Sequence, residues 1–190
     1  MFPSKINPDD CIILFADLQE GIADLPLTMT RAHLQKGVRA LAKLAKLFGI
    51  PAIVTAVRQD GEAKIMPEIG EELGALPTQY RSTADSFLNE TIAETIKTSG
   101  RKTILISGVA TELAVQLPAL SGVDLGYRTF VVVDACGGIS ERTEHAALQR
   151  VIANGGSTVS IMTLAGEMAG DFSQPKAQQA IGILFSMSSA

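Results

Sequence analysis

An aspartate ends the apolar run Cys11-Ile-Ile-Leu-Phe-Ala-Asp17, and Gln19 follows two positions later. A carboxylate placed there is costly to desolvate unless something pairs with it, and a group perturbed in this way suits proton transfer. The plainer alternative is an aspartate that caps a loop. Gln19 favours function, because an extended chain aims alternate residues the same way. A second segment, Gly108-Val-Ala-Thr-Glu-Leu-Ala-Val115, leaves a strand-like run through small residues and enters a helical pattern with Thr111 and Glu112 in its first turn. Backbone N–H groups at such a turn can hold an anion or an oxyanion, although small residues also serve close packing. A third run ends at Asp134-Ala-Cys136-Gly, where Asp134 reads as a carboxylate organising the adjacent turn. Arg58 and Asp60 either line a pocket or, with Gly61, form a solvated turn.

Other chemistry has less support. Cys11 and Cys136 lie inside apolar runs and form no CxxC pair, so they read as small buried hydrophobes in a reducing compartment. His33 and His145 are too far apart for an HExxH-type zinc site. No metal or cofactor is expected, and His145 reads as a packing or interface residue. Sixteen Lys and Arg against twenty Asp and Glu give a net charge of -4 and no basic field for nucleic acid or an anionic membrane. The first ten residues lack the apolar core of a signal peptide, and no run reaches the ~18 apolar residues of a membrane span. The expectation is a cytoplasmic protein with a small-molecule partner.

The elements that must position these residues follow from periodicity. A chain of 190 residues with 46% hydrophobic and 19% charged residues suits one domain over 1–190. Runs at 11–17, 52–57, 103–108, 129–135 and 157–162 are almost continuously apolar, as strands buried on both faces of a parallel sheet are. Helical periods over 30–48, 85–98 and 140–153 separate them, which predicts a three-layer α/β fold with an open, mainly parallel sheet and helices on both faces. Residues 59–83, rich in Gly, Pro and Glu, are expected to make an excursion over the sheet edge. Ligands of such folds bind at the carboxyl ends of strands, where Asp17, Arg58, Gly108–Glu112 and Asp134 fall. Met162, Met168 and Phe172 read as core or subunit-interface residues.

The ordered combination of D-x-Q at 17–19, R-S-T-A-D-S-F at 81–87, G-V-A-T-E-x-x-V at 108–115, V-V-x-D-A-C-G at 131–137 and a helix with His145 resembles the isochorismatase-like hydrolase family over about 11–165. It is most similar to the branch of small stand-alone hydrolases of unsettled specificity. The resemblance implies a Rossmann-like parallel sheet and, in most members, an Asp, a basic residue and a cysteine that hydrolyse a C–N bond. It carries those roles onto Asp17, Arg81 and position 114. It also implies a cis peptide between Val109 and Ala110, an oxyanion site at the Ala110 and Ala114 amides, a substrate pocket including Gln19, Phe87 and Thr111, and assembly into dimers or larger homo-oligomers.

Position 114 is alanine. A methyl group cannot make the thiolate attack that Asp17 and the cation would assist, and Cys136 follows a different strand. Three explanations stay open at this level: a member that has lost covalent catalysis and binds or scaffolds, a cysteine replaced so that substrate is trapped, or cleavage of a vinyl ether with Asp17 as general acid and no nucleophile. The third ranks last, because Val109-Ala-Thr-Glu112 stands where true isochorismatases carry Tyr-Ala-His.

Overall fold

In the computed structural model, which describes residues 5–25, 27–58 and 61–188, every residue of β1 (Cys11–Ala16) is buried. Alternation along the strand divides them: Ile13 and Phe15 pack with α1 (Arg31–Phe48), α6 (Ile161–Ala169) and α7 (Pro175–Ser188), while Ile12, Leu14 and Ala16 pack with α3 (Glu90–Thr98), α4 (Gln116–Asp124) and α5 (Glu141–Ala153). A strand covered on both faces favours apolar residues at nearly every position, and so the sequence shows a continuous run.

Six parallel strands stand in the order β3-β2-β1-β4-β5-β6, where β2 is Ala52–Val57, β3 Thr78–Arg81, β4 Thr103–Val109, β5 Arg128–Gly137 and β6 Ser157–Val159. The chain order reverses between β1 and β4, which opens a crevice at their carboxyl ends. Gly108 lets these two strands approach there, since a Cβ at this position would sit 2.3 Å from the Ala16 carbonyl oxygen. Helix α1 begins at Thr30, whose side chain accepts from the His33 N–H, and stops at Gly49 with φ 69. Leu34, Val38 and Leu41 form its buried stripe, each burial contributing about 1.5–3 kcal/mol.

The structure corrects the expected elements in two places. Residues 59–83 do not merely cross the sheet edge: they supply α2 (Pro67–Leu73) and β3, which is itself the edge strand. Thr78, Gln79 and Tyr80 are only half-buried, so this strand lacks the apolar run that marks the central ones. Strand β6 stops at Val159 rather than continuing to 162, because Ser160 caps α6 by accepting from the Thr163 N–H. In β5, Ile106 pairs with Val131 but Gly108 with Cys136, and the bulge carries Asp134, whose carboxylate accepts the Ile161 N–H at 2.9 Å. Asp134 thus organises the start of α6, and burial raises its pKa. Met168 belongs to the core, whereas Met162 and Phe172 are exposed, which removes the core reading for those two.

Candidate active site

Asp17 follows the last residue of β1, and its N–H donates to the Thr55 carbonyl of β2 at 3.0 Å. Its φ of 55 breaks the extended chain, a conformation that Asp adopts more readily than most residues. Arg81 ends β3, two strands away, a distance of about 10 Å at ordinary strand spacing. The long arginine side chain crosses the end of β2, and its Nη2 donates to Asp17 Oδ2 at 2.5 Å. Its Nη1 donates to the Thr83 carbonyl. The pair is buried, with side-chain exposures of 1% for Arg81 and 9% for Asp17. Burial pushes the Asp17 carboxyl up to about 6, against the opposing pull of the guanidinium. Asp17 Oδ1 and Arg81 Nε are both buried without a hydrogen-bond partner among the described residues. An acceptor and a donor therefore remain beside the ion pair.

The other expected site residues are distributed differently. The Gln19 side chain clamps β2: Oε1 accepts the Val57 N–H at 3.0 Å and Nε2 donates to the Val57 carbonyl at 3.1 Å. Gln19 is fully buried, so its amide is a brace rather than a pocket group. The alternation argument fails here because the backbone turns at Asp17. Phe87 lines a separate cleft. Its ring lies 5.9 Å from that of Tyr127, which precedes β5, and both line a cleft of about 720 Å³ on the side of α3, away from the carboxyl edge.

Thr111 and Ala114 lie in one wide turn, Thr111–Val115, that leads into α4. The Thr111 hydroxyl donates to Glu144 Oε1 at 2.8 Å, and the Ala114 N–H donates to the Ala110 carbonyl at 3.0 Å. The threonine side chain is thus engaged by α5, and the Ala114 amide by its own helical turn rather than by a free oxyanion position. The peptide between Val109 and Ala110 is cis, as the resemblance implies. The Ala114 methyl is buried at 2% exposure.

Sequence reasoning missed Glu144 and left Glu112 without a partner. Glu112 Oε1 accepts the Ile139 N–H at 2.9 Å and the Thr143 hydroxyl at 2.5 Å. Together with Thr111–Glu144 this ties the turn to the start of α5. The polar residues grouped at the first turns of both helices were the available signal. Arg58 stacks over the Tyr80 ring at 4.2 Å and, with Ser82 and Asn89, lines a cleft of about 440 Å³ beside the Arg81 backbone. Asp60 lies outside the described residues. His145 is exposed on α5. No cluster of three or more His, Cys, Asp or Glu side chains is arranged to hold a metal among the described residues. Nor is any helix among them long and apolar enough to cross a membrane.

A parallel α/β sheet with a buried carboxylate–guanidinium pair near its topological switch is the arrangement of a class of folds that place small-molecule sites at this edge. Within that class, the Isochorismatase domain model matches residues 11–163, and the chain belongs to the isochorismatase family of hydrolases. Among its relatives, YcaC of Escherichia coli (strain K12), a probable hydrolase, is 31% identical over 170 residues, covering 88% of this chain and 82% of the relative. The crystal structure of the Escherichia coli YcaC gene product, described as an octameric hydrolase of unknown specificity, is 28% identical with a TM-score of 0.87, covering 98% of this chain and 90% of that one. YcaC from Pseudomonas aeruginosa, solved with hexane-2,5-diol and covalent acrylamide, is 27% identical with a TM-score of 0.90, covering 99% and 96% of the two chains.

Proposed function

We propose that this protein carries the small-molecule site of a C–N hydrolase and, with Ala114 at the nucleophile position, binds a small amide without hydrolysing it covalently. The observation that carries this reading is the pair of unpartnered buried atoms, Asp17 Oδ1 and Arg81 Nε. A primary amide offers an N–H to the first and a carbonyl oxygen to the second, satisfying two groups that are costly to leave unpaired. In the parent reaction Asp17 would take the proton of a thiol at position 114, and the thiolate would attack the amide carbon. Asp17 would return the proton to the amine as the C–N bond breaks, and water would then cleave the thioester to release the acid and regenerate the thiol. Arg81 stays protonated throughout and serves as a cation, not as a proton carrier.

The substitution Ala114→Cys tests the reading. The variant should release ammonia or amine from some member of an amide panel, and Asp17→Asn in the same background should abolish that release. The covalent acrylamide in the Pseudomonas aeruginosa relative makes acrylamide a suitable first probe. Mass spectrometry should find one adduct on the Ala114→Cys protein and none on the parent. Failure to label or to hydrolyse any panel member would count against an intact amide site.

A second reading is favoured by the raised Asp17 carboxyl, which is half protonated near pH 6. Such an acid can protonate carbon in a vinyl ether without a nucleophile. Under that reading the parent protein itself is active, loses activity with Asp17→Asn, and slows as pH rises above about 6.

We also propose a homo-oligomer of one-domain chains, dimeric or larger, in a reducing cytoplasm that suits the free Cys11 and Cys136. The octameric Escherichia coli relative and the exposed Leu113, Ile139 and Met162 support the assembly. Light scattering that returned the 20.0 kDa of one chain would refute it.

A further inference from the structure

We infer that Asp85 and Ser121 act as positioning residues for the Arg81 guanidinium, an inference that rests on the Asp17–Arg81 site proposed above. The guanidinium is anchored at both ends: Nη2 on Asp17 and Nη1 on the Thr83 carbonyl. The second anchor is a loop carbonyl, so the loop must be held from elsewhere to be of use. The Thr83 hydroxyl donates to the Asp85 carbonyl at 2.8 Å, closing the loop on itself. The Asp85 carboxylate then fixes it in two directions, accepting the Phe87 N–H at 2.9 Å and the Ser121 hydroxyl at 2.5 Å.

Ser121 lies on α4, two helical turns beyond Ala114. The Asp85–Ser121 bond therefore ties the loop that follows the basic residue to the helix that follows the nucleophile position. Asp85 is buried at 9% exposure, and a carboxylate that accepts two hydrogen bonds there is a fixed point rather than a solvated surface group. Without it, Thr83 could drift, the Arg81 head would lose one of its two anchors, and the guanidinium would sit less closely against Asp17. The loop, the ion pair and the second half of α4 thus form one hydrogen-bonded unit, Asp17–Arg81–Thr83–Asp85–Ser121.

Charge-neutral substitutions test this without altering the local field directly. Ser121→Ala and Thr83→Val each remove one hydroxyl from the chain of contacts. Thr129→Val is the matched control, since the Thr129 hydroxyl donates to Ala119 on the same helix but touches neither Asp85 nor Thr83. The readout is the titration midpoint of the Asp17 carboxyl by carbon NMR in the full chain. It should rise in Ser121→Ala and Thr83→Val, because a less closely held cation favours the carboxylate less, and stay unchanged in Thr129→Val. An unchanged midpoint in the first two variants, or an equal rise in the control, would overturn the inference. In the Ala114→Cys background the same two variants should lower kcat several-fold more than they raise KM. If Ala114→Cys proves inactive, the amide reading fails while the titration still decides the positioning role.

Discussion

The Arg81 guanidinium reaches across the end of β2 to meet the Asp17 carboxylate at 2.5 Å, yet the carboxyl is held above its ordinary range, at about 6. Burial outweighs the cation. An exposed ion pair of this geometry would lower the acid's pKa, so the direction reports how far the site excludes water.

Ionising Asp17 therefore destabilises the fold. The carboxyl titrates at 3.8 when unperturbed and at about 6 in the folded chain, so between those values the folded state holds the proton that the unfolded state releases. Stability falls as pH rises through this window and levels off above it, by about 3 kcal/mol. Asp17→Asn cannot titrate. Urea unfolding of both proteins should show the parent losing about 2–3 kcal/mol relative to the variant between about pH 4 and about pH 8. A difference that does not change with pH would refute the assignment.

Removing the cation should raise the Asp17 midpoint further above its already elevated value. With Arg81→Gln, burial is left without its counterweight and the Asp17 midpoint should rise further, by about 1 or more. At neutral pH at least about half of the carboxyl would then carry its proton, which reduces the burden of a buried unpaired anion, and the variant should still fold. Carbon NMR of the Asp17 carboxyl measures this directly. A midpoint that fell on losing Arg81 would show that the guanidinium is not the group that lowers it.

Much of the fold was legible because its central strands are covered on both faces. Cys11–Ala16 and Thr103–Val109 are buried at every position, which an almost continuous apolar run satisfies, the buried Thr103 and Ser107 hydroxyls being hydrogen-bonded to Asp10 and the Ala135 carbonyl. The edge strand Thr78–Arg81 was not legible, since half-buried Thr78, Gln79 and Tyr80 satisfy an edge without an apolar signature. Asp17 was legible at the end of its apolar run, whereas Arg81 was reached only through the family pattern, because 64 residues separate the two and only the sheet order joins them. The alternation that would aim Gln19 alongside Asp17 does not hold for a local reason: the left-handed backbone at Asp17 redirects the chain after it, and the Gln19 amide bonds Val57. The Asp85–Ser121 and Thr111–Glu144 bonds depend on how helices dock on the sheet, which no local spacing encodes.

Gln19 should prove structural. Its side chain satisfies both backbone groups of Val57, the last residue of β2 and the register partner of Arg81. Gln19→Leu keeps much of the volume but leaves a buried N–H and carbonyl unpaired, at a cost of about 2–4 kcal/mol. Thermal or urea unfolding should record that loss. In the Ala114→Cys background, KM for an amide should change far less than it would if the glutamine touched substrate. A large rise in KM at unchanged stability would return Gln19 to the pocket.

The two native thiols should be inert in the folded protein, which decides whether Cys136 could stand in for the nucleophile. Cys136 is buried at 1% exposure with its Sγ 3.7 Å from the Ile106 carbonyl, and burial raises its pKa, with Glu144 and Asp134 adding to the effect. Cys11 is buried likewise, and its thiol is pushed up to about 12. A thiol needs its thiolate to attack, so neither group has usable nucleophilicity at neutral pH. Iodoacetamide should label no cysteine in the native parent, both cysteines in denaturant, and one further site at position 114 in the native Ala114→Cys protein. The rate at that new site should rise with pH, because the thiolate fraction rises with it. Rapid native labelling of Cys136 would instead place a reactive thiol at the end of β5, beside Glu144 and the Thr111 turn, and would reopen the search for a nucleophile on that strand.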